Sequence, residues 1–300
     1  MKKIELLKLK VSSINDTKSN CNGTVSIPFL KEYRYGNKLF IYFSARIYAE
    51  LNKLNLITNI DDIYYDLKPT KNYGKPPKNL KTFIIQDKDY NKTKNKINFK
   101  GKGNYVFNGY FQFEEYFYKN KNIILHFINL NDKKINKTSL HLRLDDFRND
   151  YRTLVININY YVNSVKYLKD HFNPNLNHVT IICDRLKKKW EIEYVEKLKS
   201  ELEKIKVKSS HNLNSISEDI KILTCSKFLI TSNSTFCFWS VFFSKAEKII
   251  QFPFCGEDLS RNNTFYKWNN NAVFFKKQDD VRMINNLFSI NKLDYFEKYF

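Results

Sequence analysis

Cysteines are few in this sequence, and none is spaced for a common metal or redox motif. There are five in 300 residues, too far apart for a C-x-x-C pair, and an odd number cannot all pair within the chain. We therefore expect reduced thiols, as in a cytoplasmic protein. They are Cys21, Cys183, Cys225, Cys237 and Cys255.

Long hydrophobic runs are also missing. Glu5, Lys8 and Lys10 interrupt the apolar stretch that an N-terminal signal peptide would need. The longest apolar segment, residues 228–243, contains polar residues at 231–235 and is too short and too polar to span a bilayer. We expect a soluble cytoplasmic protein without an integral membrane segment; association with a membrane surface is left open.

Acidic residues are outnumbered, with 31 Asp and Glu against 51 Lys and Arg and a net charge of +20. Such a balance raises nucleic acid or an acidic surface as a partner. The lysines, however, are scattered among abundant Asn, Ile, Tyr and Phe, with only seven Gly and six Pro, a composition that AT-rich coding sequence produces. No nucleic-acid-binding module or clustered basic helix is present, so no nucleic-acid partner is expected.

The hydrophobic content is sufficient for a folded core. The chain is 42% hydrophobic and 16% aromatic, which argues against disorder. A chain of this length can bury a sizeable core in one large domain or in two of moderate size. No repeat at a solenoid or propeller period is visible.

The first half of the chain has an uneven pattern. Residues 25–27 predict a strand, Tyr35-Gly36-Asn37 predicts a turn, and apolar spacing from Leu39 onward predicts an amphipathic helix. Gly36 and Asn37 stand where a helix N-terminus offers free amides to anions or sugar hydroxyls; a simple turn and cap is the alternative. Residues 66–104 are rich in Lys, Asn and Pro and predict mostly loop.

The second half alternates between strand and helix patterns, which predicts a parallel, doubly wound α/β sheet. The predicted strands are 138–143, 179–183, a short one near Val207, 228–232 and 248–252; the predicted helices are 157–170, the run from Trp190 to Ile205, one opened by Ser217-Glu218-Asp219, and 235–245.

Polar side chains follow several of these strands. In such sheets ligands bind at the carboxyl ends of the strands, and this rim holds Arg143, Asp184, Ser232, Asn233 and Ser234. Arginine suits bidentate recognition of phosphate, and small hydroxyl and amide residues open the helix that follows residue 234. The two strand ends, one with Arg143 and one with residues 232–234, together predict a nucleotide or sugar-nucleotide site.

Four segments, in order, resemble glycosyltransferase family 11, the alpha-1,2-fucosyltransferase family. Residues 35–46 are similar to its G-N-Q-x-F-Q-Y-A opening, and residues 108–117 to G-Y-F-Q-x-x-x-Y-F. Residues 141–147 resemble H-x-R-R-G-D-Y, and residues 219–239 resemble D-x-x-L-M-S-x-C-x-H…S-N-S-S-F-S-W-W.

The resemblance implies a GT-B-like fold of two Rossmann-like domains and an inverting, metal-independent transfer of fucose from GDP-fucose to a glycan hydroxyl, in alpha-1,2 linkage and without a cofactor. It implies an acceptor-side domain at 1–135, a nucleotide-sugar domain at 136–275 and a closing helix at 276–300. The implied partners are a nucleotide-sugar donor and a glycan acceptor. The implied donor pocket contains His141, Arg143, Asp184, Asp219, Asn233, Ser234 and Thr235, with Gly36 and Asn37 near the cleft between the domains.

The implied roles differ among these residues. Arg143 would contact the β-phosphate and stabilise the leaving diphosphate, while Asp184 and Asp219 would serve the nucleoside. His141 would contact the nucleotide or form a hydrogen-bonded corner. Asp146 would act as the base for the acceptor hydroxyl or would hold Arg143 in place; Asp145 and Glu114 are further candidates for the base.

The sequence departs from the family pattern at four positions. The second arginine is Leu144, the glycine is Asp145, the late histidine is Phe228 and one tryptophan is Phe238. Three alternatives follow from the missing arginine. Another cation would replace it (Arg148, Arg152 or Arg185), or the donor would be a different nucleotide sugar. In the third alternative the protein would bind a sugar nucleotide or a glycan without catalysis. Restoring arginine at residue 144 is expected to raise turnover or leave it unchanged.

Aromatic residues inside the motifs are expected to be structural. Tyr110 and Phe111 are predicted to lie in the core rather than stack on an acceptor, and Trp239 is predicted to be buried among its apolar neighbours.

Overall fold

The computed structural model divides into two units, Met1–Asn129 and Leu130–Phe300. The structure describes residues 21–28, 33–58, 71–128, 134–144, 155–211, 214–251 and 272–273. The sequence-based division between residues 135 and 136 lies six residues further along the chain than the boundary between the two units, just inside the strand Ile135–His141. The predicted closing helix at 276–300 lies outside the described residues.

Unit 1 contains a four-stranded parallel sheet. Its strands are β1 (Gly23–Ser26), β2 (Asn55–Ile57), β3 (Thr82–Ile85) and β6 (Gly103–Phe107). Between β3 and β6 the chain forms a small antiparallel pair, β4 (Tyr90–Asn91) and β5 (Lys96–Ile97). The order across the sheet is β2-β1-β6-β3. The predicted strand at residues 25–27 overlaps β1.

The first helix, α1 (Tyr35–Leu51), begins earlier than predicted. The predicted turn at residues 35–37 is wrong, because these residues form the first helical turn and Lys38 N donates to Arg34 O at 2.8 Å. The apolar spacing also misplaced one side chain: Leu51 is 57% exposed. Most of the helix is buried on all sides because it packs against β1, β2 and α3 (Lys121–Phe127).

The loop predicted over residues 66–104 is wrong for much of its length. It contains β3, β4, β5 and a 3₁₀ turn at Asp87–Asp89. Strand β3 has only Ile85 buried, so its sequence lacks the apolar alternation of a half-buried strand. It forms because β6 pairs with it from Asn104 to Phe107, a long-range contact that local propensity does not contain.

The core of unit 1 is aromatic. The Tyr48 ring packs edge-on against Tyr105 and Phe107, with centroids 5.1 and 5.4 Å apart. Phe40 of α1 meets Phe117 of α2 (Glu114–Lys119) at 5.3 Å. Edge-to-face aromatic pairs add stabilisation beyond the area that they bury, and here they attach the helices to the sheet.

Unit 2 confirms the predicted doubly wound α/β architecture. Six parallel strands lie in the order β12-β11-β10-β7-β8-β9. They are β7 (Ile135–His141), β8 (His178–Ile182), β9 (Lys208–His211), β10 (Ser226–Ile230), β11 (Lys248–Ile250) and β12 (Ala272–Val273). The helices are α4 (Ile158–His171), α5 (Lys189–Lys204), α6 (Ile216–Cys225) and α7 (Thr235–Phe243). Each unit thus has the parallel α/β organisation expected of a Rossmann-like domain in a GT-B-like chain.

Two helix starts in unit 2 are set by serine caps. Helix α6 begins at Ile216 rather than at Ser217, because Ser215 forms a capping box with Glu218, whose carboxylate accepts from Ser215 N at 2.8 Å. Helix α7 begins after Ser234, whose hydroxyl accepts from Phe236 N at 3.2 Å.

Of the four positions that depart from the family pattern, the three within the described residues are packed into the interior. Leu144 is 3% exposed and belongs to the hydrophobic core of unit 2, and Phe228, Phe238 and the predicted core residue Trp239 are fully buried. This burial argues against the expectation that arginine at residue 144 would raise turnover or leave it unchanged, because a guanidinium there would enter the core. Among helices of the described residues, none is both long and apolar enough to cross a bilayer.

Candidate active site

The candidate site lies where the strand order of unit 2 reverses. From β7 the chain proceeds to β8 and β9 on one side, and then to β10, β11 and β12 on the other. Strands β7 and β10 are direct neighbours, with Leu140 opposite Ile230, so their carboxyl ends open into one crevice. Ligands of parallel α/β sheets bind at such a reversal point.

His141 and Ser232 link the carboxyl ends of β7 and β10 directly. The His141 Nδ1 atom lies 2.8 Å from the Ser232 hydroxyl oxygen, and the imidazole packs against the Phe236 ring at 5.4 Å between centroids. Burial lowers the pKa of His141 to about 4, so the ring is neutral at pH 7. The structure places His141 in a hydrogen-bonded corner; its contact with a nucleotide stays a prediction.

Arg143 is paired with Asp184 at the next strand boundary. Its Nη1 atom donates to Asp184 Oδ2 at 2.5 Å, with the arginine side chain 13% exposed and the aspartate side chain 56% exposed. The pairing arises because β8 lies beside β7 and each residue follows the end of its strand. Leu142 and Leu144 enter the core on either side of Arg143, which directs the arginine away from it.

Asp219 adds a second carboxyl group near Asp184. It lies in the first turn of α6 and accepts from Asn214 Nδ2 at 3.0 Å. Partial burial raises the pKa of Asp219 to about 6, and the charges of Asp184 and Glu218 act in the same direction. Asp184 thus interacts electrostatically with Arg143, His141 and Asp219.

The segment Asn233-Ser234-Thr235 forms the entry to α7. Ser234 is the N-cap, and the first backbone hydrogen bond of the helix runs from Phe238 N to Ser234 O at 3.1 Å. The dipole of α7 therefore has its positive end at the same crevice as His141 and Ser232. A helix N-terminus of this kind favours an anionic group.

A thiol–imidazole contact close to the site was not predicted. Cys183 Sγ lies 3.2 Å from His211 Nε2, which joins the ends of β8 and β9. Burial raises the pKa of Cys183 to about 12, so the thiol is protonated at pH 7 and a weak nucleophile. None of the four cysteines in the described part of the chain forms a disulfide.

The other two predicted binding residues lie in unit 1. Gly36 and Asn37 are in the first turn of α1, and Asn37 Oδ1 accepts from Gln112 Nε2 at 3.0 Å. This bond connects the first two motifs, which are far apart in sequence. The proximity of Gly36 and Asn37 to a cleft between domains stays a prediction.

Asp87 is a motif partner that sequence reasoning missed. Its carboxylate accepts from Phe111 N at 2.5 Å and from Tyr110 N at 3.1 Å. A Cβ atom on Gly109 would lie 2.5 Å from Asp87 Oδ2, so a larger residue there would displace the Asp87 carboxylate from its position. Phe111 is buried as predicted, but the prediction for Tyr110 is wrong: it is 47% exposed.

Four of the predicted site residues lie outside the part of the chain that the structure describes. Asp145, Asp146, Arg148 and Arg152 are not among the described residues. Of the remaining candidates, Arg185 is exposed beside Asp184, and Glu114 is partly buried at the start of α2. Within the described ranges, no three His, Cys, Asp or Glu side chains are grouped so that they could hold a metal ion.

Comparisons with known proteins agree with the motif resemblance. Residues 40–273 match the model of glycosyl transferase family 11. An alpha-1,2-colitosyltransferase of Escherichia coli is 30% identical over 162 residues, covering 48% of this chain and 53% of that protein. The match thus spans about half the length of the curated relative.

Two solved structures show distant likeness. POFUT1 in complex with GDP-fucose has a TM-score of 0.46 at 11% identity, over 87% of this chain and 99% of that one. A mutant of Arabidopsis thaliana FUT1 in complex with GDP has a TM-score of 0.46 at 14% identity, over 79% of this chain and 72% of that one.

Proposed function

Because the chain belongs to glycosyl transferase family 11, we propose that it is an inverting fucosyltransferase that uses GDP-fucose and a glycan hydroxyl without a metal ion. The linkage proposed is alpha-1,2. The observation that supports this most is the crevice between β7 and β10, which brings Arg143, the His141–Ser232 pair and the N-terminus of α7 to one sheet edge.

The leaving diphosphate would be stabilised by Arg143. Negative charge grows on the β-phosphate as its bond to the sugar breaks, and a fixed cation there lowers the barrier more than it stabilises the bound donor. Asp184 fixes the guanidinium before the donor arrives. This preorganisation matters because reorienting a charged group during the reaction would add to the barrier.

The entry to α7 would supply the second source of positive potential. Asn233, Ser234 and Thr235 would line the diphosphate or the fucose, and the helix dipole would favour the developing anion. Together with Arg143, the backbone amides would take the role that a divalent cation has in metal-dependent glycosyltransferases. His141, neutral at pH 7, would add a hydrogen bond rather than a charge.

The nucleoside would be recognised on the acidic side of the crevice. A carboxylate accepts hydrogen bonds only, and guanine presents adjacent N–H donors, which uracil does not match. Asp219 would serve this function, oriented by Asn214. Because Asp184 is already bound to Arg143, we assign it to positioning that arginine rather than to the nucleoside.

The acceptor hydroxyl would lose its proton to a carboxylate. Asp146 follows Arg143 closely in the chain and is the proposed base. The alternative role for Asp146 is to hold Arg143 in place together with Asp184. Gly36 and Asn37 would lie on the acceptor side of the reaction.

A second donor sugar is favoured by one comparison. The relative from Escherichia coli carries the name alpha-1,2-colitosyltransferase, so the proposed alternative is transfer of colitose rather than fucose from a guanosine diphosphate. The nucleotide chemistry of the site would be the same for both. The difference would lie in the few contacts made to the sugar.

A donor panel tests the proposal. The full chain is heated with GDP, GDP-fucose, GDP-colitose, UDP-galactose or dTDP-rhamnose, each with and without EDTA. A nucleotide at about 100 times its Kd stabilises the protein by ~2.7 kcal/mol, so guanine nucleotides should raise Tm whether or not EDTA is present. Protection by a uridine or thymidine nucleotide alone, or only with Mn²⁺ added, would overturn the donor assignment. Turnover of the two guanosine donors then separates fucose from colitose.

A further inference from the structure

Unit 1 has its own reversal of strand order, at β1. From β1 the chain moves outward to β2, while β3 and β6 lie on the opposite side of β1. The segments that leave the carboxyl ends of β1 and β6 therefore lie beside each other, in the place where parallel α/β sheets bind ligands. Tyr33 belongs to the first segment and Tyr110 to the second.

These two tyrosines meet across the carboxyl edge. Their ring centroids are 5.4 Å apart and the ring planes are at 88°, so the edge of one ring contacts the face of the other. Tyr33 is partly buried, whereas Tyr110 remains 47% exposed. The pair therefore presents an aromatic surface at the edge of the sheet while its own geometry is fixed.

Contacts within the loop hold Tyr110 in its exposed position. Asp87 binds the amides of Tyr110 and Phe111. Phe111 has a φ of 53°, in the left-handed region that is unfavourable for a bulky residue, and its ring is buried completely. A strained, anchored residue directly beside an exposed ring indicates that the exposure is maintained by the surrounding structure.

Amide groups accompany the aromatic surface. Gln112 donates to the carbonyl oxygen of the Asn37 side chain, a bond that leaves the Asn37 carboxamide nitrogen as a donor on the same edge. The Asp87 carboxylate is engaged by two backbone amides. An aromatic ring beside carboxamide groups suits an uncharged ring that has an apolar face and hydroxyl groups at its rim, which is the chemistry of a neutral pyranose.

We propose that Tyr110, supported by Tyr33, is the surface on which a neutral pyranose ring of the acceptor glycan stacks. The inference rests on the proposed function for its assignment to the acceptor. The Asn37–Gln112 pair contacts the hydroxyl groups of that ring. Tyr110 thereby sets which sugar is presented for transfer and takes no part in the proton or phosphate chemistry.

The test measures pyranoside binding without requiring turnover. Saturation-transfer NMR titrations use methyl β-galactopyranoside, methyl β-glucopyranoside and methyl α-mannopyranoside as probes on the full chain. Tyr110→Ala should weaken the affinity for the best probe by about 10-fold, the scale of an aromatic stacking contact. Tyr110→Phe keeps the ring and should bind as the unmodified protein does. Phe99→Ala is the matched control, since Phe99 is also exposed in unit 1 but precedes β6 instead of following it.

The outcomes separate this inference from the proposed function. GDP protection is measured on the same samples, and it depends on unit 2. Unchanged pyranoside affinity in Tyr110→Ala, or no saturation transfer from the unmodified protein to any probe, would overturn the inference even if GDP protects. Loss of pyranoside binding in Tyr110→Ala alone, in a protein that no guanine nucleotide protects, would support a sugar site and overturn the proposed donor instead.

Discussion

The Nη1 atom of Arg143 donates to Asp184 Oδ2 at 2.5 Å, across the boundary between β7 and β8. The arginine is largely covered, whereas more than half of the aspartate side chain is exposed. Such an arrangement fixes the direction of the cation at a modest cost in desolvation. In the proposed function the two residues have different roles: Arg143 contacts the diphosphate, and Asp184 holds Arg143 in the position for that contact.

Removing the charge of Asp184 should lower turnover without abolishing donor binding. Asp184→Asn keeps an oxygen acceptor for Arg143 but loses the charge-assisted bond, so we expect kcat to fall about 10-fold, equivalent to ~1.4 kcal/mol for one partly screened interaction. The Kd for GDP should change much less. Initial rates and GDP thermal shifts measure the two effects, and Asp170→Asn, at an exposed position of α4, is the control. A parallel loss of GDP binding would indicate that Asp184 contacts the nucleotide itself.

The carboxyl group of Asp219 should make folding stability depend on pH. Its folded pKa, about 6, lies above the ordinary value of 3.8, so between these pH values the folded state binds more protons than the unfolded state. The free energy of unfolding therefore falls as pH rises through this window, and the ionised group destabilises the fold at pH 7. Because the group is only about half buried, we discount the effect to ~1–2 kcal/mol.

Asp219→Asn isolates that contribution. The variant should be more stable than the unmodified protein at pH 7, and the difference should vanish near pH 4. Urea unfolding at both pH values measures it. Comparing the two proteins also removes the opposite contribution of His141, whose lowered pKa of about 4 makes stability rise with pH over the range from 4 to 6.5. A constant stability difference at both pH values would contradict the assignment to Asp219.

Leu144→Arg should unfold the protein instead of improving it. Leu144 is part of the core beside the site, and an arginine there would be a buried charge without a prepared partner, at a cost of about 3–5 kcal/mol. Leu144→Met should cost less than ~1.5 kcal/mol, because the volume and the apolar character are retained. Thermal unfolding of both variants is the measurement; a folded Leu144→Arg protein with raised turnover would show that the arginine reaches the crevice.

The architecture of unit 2 was predictable because its signals are local. Helix α5 repeats apolar residues at helical spacing and β8 is a short β-branched run, so each element is specified by its own sequence. In unit 1, β3 was missed because its stability comes from pairing with β6. The first turn of α1 was also missed, since Gly36 and Asn37 are common turn residues that the buried helix overrides.

The candidate site was predictable only in outline. The rule for strand ends placed Arg143, Asp184 and Ser232 on one rim, and the neighbouring strands bear this out. The partners were not predictable, because the Arg143–Asp184 and His141–Ser232 bonds depend on which strands are adjacent. Tyr110 was assigned to the core because the sequence does not show which of two adjacent aromatic residues is buried. The positive φ of Phe111 lets its ring enter the core while Tyr110 stays exposed.

The central claim, that Arg143 stabilises the leaving diphosphate, is tested most directly by the rate of fucose transfer from GDP-fucose in Arg143→Lys and Arg143→Ala. Lysine keeps the charge but lacks the planar fork, so the rate should fall by about 100-fold, and further in the alanine variant, as when one preorganised charge-stabilising donor is lost. Circular dichroism should show both variants folded, and Lys166→Ala, on the exposed side of α4, should keep its full rate. A folded Arg143→Ala protein that transfers fucose at a near-normal rate would contradict the account.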